Sequence, residues 1–143
     1  MLQRSTGGDA RFGAGLHVEL VHLNGTADPR VLSTRWELVN RTDEPIEVLE
    51  SWFPHNQFHR PRQAFAPALT LAPRMSIQLV ADVTFAAAPR EVIENAFLIL
   101  RARYQDQAWR IFARLRIVCD DAGHPNPVVE ALSAHPARIS GTS

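Results

Sequence analysis

Two histidines four residues apart, His55 and His59, follow Glu50 and come nearer to a metal-ligand spacing than anything else in the sequence. On a helix this spacing would set both imidazoles on one face, where a third ligand could complete a zinc site. Pro54 and Pro61 restrict any helix here to one or two turns, and no glutamate follows His55 as a metalloprotease motif needs. His17, His22, His124 and His135 show no ligand spacing. Metal or small-ligand binding through His55 and His59 is therefore the alternative reading, and no cofactor is expected. Cys119 alternates with Trp109, Ile111, Leu115 and Ile117 on an apolar face, where a thiol acts as a small core residue rather than a nucleophile. As the single cysteine, it also excludes a disulfide framework. The sequence has no Gly-x-Ser-x-Gly elbow and no phosphate-cradling glycine loop behind a strand, so the expectation is a non-catalytic protein.

Arginine is the more informative residue. All fifteen basic residues are arginines, balanced by fifteen acidic ones. The base composition of a GC-rich gene explains that choice more simply than function does, so a role at any one arginine needs its own argument. A net charge of zero gives no electrostatic case for a nucleic-acid or membrane-surface binder. The charges are nevertheless segregated. Residues 37–50 hold Glu37, Asp43, Glu44, Glu47 and Glu50 against Arg41, whereas residues 97–119 hold Arg101, Arg103, Arg110, Arg114 and Arg116 against Asp106. Glu47 is expected across from Arg101 or Arg103, in exposed ion pairs worth roughly 0.2–1 kcal/mol each. Arg103 and Arg110, short of carboxylates, are candidates for binding an anion or a partner. Phe112 shares their outer face, and Trp52 and Phe53 precede the proline-bounded segment that carries the histidines, with Phe58 inside it. Aromatic residues beside arginine are the composition of interface cores. The candidate partner-binding set is Trp52, Phe53, His55, Phe58, His59, Arg101, Arg103, Arg110, Phe112 and Arg114.

Strands must position these groups. Alternation begins at Leu16 with Val18 and Leu20, and turn signals at Asn24-Gly25 and Asp28-Pro29 precede a second strand over 31–39. Residues 46–53 read as a third, residues 54–62 as an irregular loop, and Leu69 and Leu71 as a short fourth. Met75 to Phe85 alternates over eleven residues. Phe97 to Tyr104 and Trp109 to Cys119 form a hairpin in which an Asp106-Gln107 turn sets Tyr104 opposite Trp109 and Arg103 opposite Arg110. Residues 1–14 are expected as a flexible arm, 15–120 as the domain, and 121–143 as a loop and tail in which 128–139 supplies an edge strand or folds back.

About seven antiparallel strands joined by short turns match an all-β two-sheet sandwich. Leu38-Val39-Asn40-Arg41-Thr42-Asp43-Glu44-Pro45-Ile46-Glu47-Val48 resembles the strand, Asn-x-Thr turn and Pro-Ile strand of bacterial immunoglobulin-like and fibronectin-like domains. That resemblance implies an immunoglobulin-like topology and no particular activity. The N-terminal residues carry no apolar leader, so a cytoplasmic location is expected. The resulting expectation is an interaction module or accessory subunit whose partner is another protein or a second copy, not a nucleic acid or membrane.

Overall fold

Eight strands form in the computed structural model, which describes residues 15–137: β1 (Leu16–Gly25), β2 (Val31–Asn40), β3 (Ile46–His55), β4 (Phe58–Leu71), β5 (Ser76–Phe85), β6 (Val92–Tyr104), β7 (Gln107–Cys119) and β8 (Pro125–Ala137). All belong to one antiparallel sheet in the order β1-β2-β5-β4-β3-β6-β7-β8. The sheet curls into a nearly closed barrel. This corrects the expectation of a seven-stranded, immunoglobulin-like or fibronectin-like sandwich.

The correction turns on β4, which reaches both of its neighbours. It pairs with β3 from His55↔Phe58 to Ile46↔Leu71 and meets β5 at Phe58↔Phe85 and His59↔Thr84. Those two pairs join what would otherwise be separate sheets. The segment over 54–62 is consequently a hairpin rather than an irregular loop, turning at Asn56-Gln57. Register shifts interrupt β3 between Val48 and Glu50 and again between Ser51 and Phe53. Such bulges add bend and twist, which a sheet needs in order to close.

The barrel interior is filled by alternate side chains. Trp36, Phe53 and Phe58 are fully buried, and their rings pass contact along the interior at 5.9 and 5.7 Å between centroids. Phe85 continues the chain at 6.5 Å from Phe58. Leu16, Leu38, Ile46, Leu71, Leu98, Leu100, Leu115 and Ile117 complete the core. An eight-stranded barrel has an interior of a size that side chains can fill.

The segment over 125–137 is a full strand, paired with β7 from Cys119↔Pro125 to Ala108↔Ala137. It lies beside β1 without a ladder, and a groove of about 500 Å³ follows that seam between residues 17–20 and 129–132. The expected arm over 1–14 and the last residues of the tail lie outside the described residues.

Candidate interaction face

The β6–β7 hairpin turns at Gln105-Asp106, with φ of 51° and 61°, and pairs Tyr104 with Gln107. Positive φ at both central residues is the signature of the mirror-image turn that matches strand twist. The register therefore differs by two residues from the one expected. A two-residue shift keeps every side chain on its face, so Leu98, Leu100, Ala102, Trp109, Ile111, Ala113 and Leu115 are still buried. What changes is who meets whom outside: Arg101 stands opposite Arg110, Ile99 opposite Phe112, and Phe97 opposite Arg114.

Register partners extend this row across four strands as Glu50, Arg101, Arg110 and His135. Glu50 is the only carboxylate of the row and serves two arginines. Arg62 Nη1 lies 3.2 Å from its Oε1, and Arg101 Nη1 lies 3.9 Å from its Oε2. Arg62 also stacks over the Trp52 ring, 4.1 Å from the centroid. Among the described residues, Arg110 has no carboxylate within ion-pairing distance. The Nε atoms of Arg101 and Arg110 are shut off from solvent and have no hydrogen-bond acceptor among the described residues. Like charges directly opposite on neighbouring strands repel, so this arrangement holds unspent donor capacity.

One step along the strands lies an apolar row: Trp52, then Ile99, then Phe112. Ile99 is buried yet outside the core cluster. Phe112 meets Phe97 and His135 edge to face at 5.9 and 5.6 Å. Three guanidiniums and an aromatic floor therefore share one outer face.

The other expected contact residues fare differently. Phe53 and Phe58 are fully buried inside the barrel and cannot touch a partner, because the hairpin turns both rings inward. Arg103 is held by Glu47 at 2.8 Å, and Arg114 lies 3.8 Å from Glu130. Reading the charge pattern alone paired Arg110 with the wrong neighbour, and it missed the roles of Arg62, Phe97 and His135. The β3–β4 hairpin brings Arg62 to this face, the β6–β7 register brings Phe97 and the β7–β8 register brings His135.

His55 and His59 do not form a pair of ligands. His55 stands opposite Phe58 and His59 opposite Pro54, so the strand's alternation sends the two imidazoles to opposite faces of the sheet. His55 Nδ1 accepts the Gln57 amide at 3.0 Å, and no group of three metal-binding side chains occurs among the described residues. Cys119 is buried. Desolvation, followed by the charges of Glu91 and Asp120, raises its thiol pKa, the opposite of what activates a nucleophile. No family model matches the chain, and no curated protein matches it either.

Proposed function

We propose that this protein is a non-catalytic interaction module, or a small accessory subunit of a larger cytoplasmic assembly, that binds a partner protein through the outer face of β3, β6 and β7. The observation that carries this reading is the meeting of Trp52, Arg62, Arg101, Arg110 and Phe112 on one outer face, with no carboxylate among the described residues within ion-pairing distance of Arg110. Tryptophan, arginine and phenylalanine are the side chains that interface centres favour, because each contributes large contact area or several directed donors. Half-buried guanidiniums have already shed much of their water, which lowers the cost of docking against them.

The test is affinity capture from the native source with quantitative mass spectrometry, comparing wild type with Arg110→Glu and Trp52→Ala. Val80→Asp, at an exposed position on β5, serves as the control. The reading expects partners to fall at least tenfold for both face variants and to persist for the control. Equal recovery by all three variants overturns it.

A further inference from the structure

From the row geometry we infer that the Arg101–Arg110 pair is a carboxylate subsite, and that the partner offers it an extended segment with an acidic side chain two residues from an aromatic one. The inference rests on the interaction reading above and names the chemistry of the partner. Arg101 and Arg110 face each other across β6 and β7 with both side chains partly exposed, and among the described residues Arg110 has no carboxylate within ion-pairing distance while Arg101 has Glu50 at 3.9 Å. A carboxylate seated over the pair accepts from the guanidinium groups and cancels their mutual repulsion. The Ile99–Phe112 row lies two residues away on the same face, roughly 7 Å along the strands. In an extended peptide lying along β6 and β7, side chains two apart have that same spacing. One reaches the arginines while the other meets Trp52, Ile99 and Phe112.

The surroundings select a single negative charge over a polyanion. Glu50 sits in the row itself, and Glu47, Glu94 and Glu130 neutralise Arg103, Arg116 and Arg114 around it. Nucleic-acid binding draws its affinity from several neutralised phosphates in succession. Here the carboxylates flanking the arginine pair repel the second and third phosphate of any such chain.

The test titrates the full-length protein with the peptide acetyl-Ser-Thr-Glu-Thr-Phe-Thr-Ser-amide, its Glu-to-Gln analogue, and inorganic phosphate, following arginine Nε–Hε signals by NMR. Saturable shifts of Arg101 and Arg110 are expected with the acidic peptide, at least tenfold weaker with the analogue, and abolished in Arg110→Gln. That variant removes a like-charge neighbour, so its melting temperature is expected to hold or rise. Equal binding of the two peptides, saturation by phosphate but not by the peptide, or shifts confined to other arginines each overturn the inference. If the peptide fails while Arg110→Glu still loses captured partners, the carboxylate subsite falls and the interaction reading stands. If capture is also unaffected, both fall.

Discussion

The indole nitrogen of Trp36 donates to the hydroxyl of Thr34 at 2.8 Å, and that hydroxyl donates in turn to the Ala81 carbonyl at 2.7 Å. Two residues apart on β2, both side chains point into the barrel and both are fully buried. A polar relay thus crosses from β2 to β5 inside an otherwise apolar interior. Thr34→Val keeps the shape but strands the indole N–H, so it is expected to cost roughly 1–3 kcal/mol. Urea unfolding checks this: the midpoint should fall with an unchanged slope, and a loss below about 0.3 kcal/mol would contradict the relay.

Asn40 plugs one end of the barrel. Its amide nitrogen donates to the Glu44 and Leu71 carbonyls at 2.8 and 2.9 Å, while its oxygen accepts from the Thr42 amide and hydroxyl at 2.9 and 2.7 Å. Asn40→Asp keeps the size but turns an oxygen towards two carbonyls. That carboxyl is favoured neutral in the fold, so its folded pKa is raised and stability declines as pH rises through the carboxylate range. Unfolding midpoints of the variant should separate further from wild type at pH 7 than at pH 4. A gap that stays constant with pH would sink this account.

The left-handed conformations of Gln105 and Asp106 are uncommon for residues with a β-carbon. Replacing the pair with Asn-Gly, the preferred sequence for this turn, is expected to stabilise the protein by about 0.5–1 kcal/mol. Thermal unfolding should show a higher midpoint. An unchanged or lower one would mean that the existing side chains contribute something the turn type does not explain.

Glu91 ties the β5–β6 connection to the β3–β4 turn, accepting from Gln57 Nε2 at 2.9 Å and from the Ala88 amide at 2.8 Å. The Gln57 bond, then the Ala88 bond, hold its pKa below the ordinary value, and the backbone amide of His124 does the same for Asp120. A lowered folded pKa gives stabilisation that is complete above the ordinary carboxylate range and lost as acid titrates the group through its lowered value. Stability should be flat from about pH 7 to 5 and fall below about pH 4. Glu91→Gln should make the acid limb shallower; superimposable acid limbs would remove Glu91 from the explanation.

Glu50 competes with any incoming carboxylate for Arg101. Glu50→Gln is expected to lose roughly 1 kcal/mol of stability at low salt while tightening the acidic peptide several-fold. Calorimetric titration reads the second effect directly. Weaker peptide binding would mean that Glu50 orients the arginines rather than competing for them.

The alternation over β5 and the inward faces of β6 and β7 were legible because burial imposes a period of two. The hairpin register was not, because a slip of two residues buries the same side chains and only the backbone of Gln105-Asp106 chooses between the two. The turn at Asn56-Gln57 was hidden by Pro54 and Pro61, which read as breakers although both lie within paired strands. Barrel rather than sandwich depended on Phe58↔Phe85 and His59↔Thr84, a contact for which neither strand carries a local signal. That aromatic and arginine side chains share the outer face of the β6–β7 hairpin was legible, but which arginine lacks a carboxylate among the described residues waited on those registers.

The unladdered seam also gives the molecule a direction of mechanical weakness. Because neighbouring strands alternate in direction around the sheet, Leu16, which begins β1, and Ala137, which ends β8, lie at the same end of the barrel. Among the described residues no hydrogen-bond ladder joins the two strands, and each is held on one side only, starting from Leu16↔Asn40 and Ala108↔Ala137. Ladder bonds run across the strands, so tension between these two points loads the terminal pair first and then the next. The barrel unzips one rung at a time under that pull, whereas a load along the strands must shear a whole ladder at once.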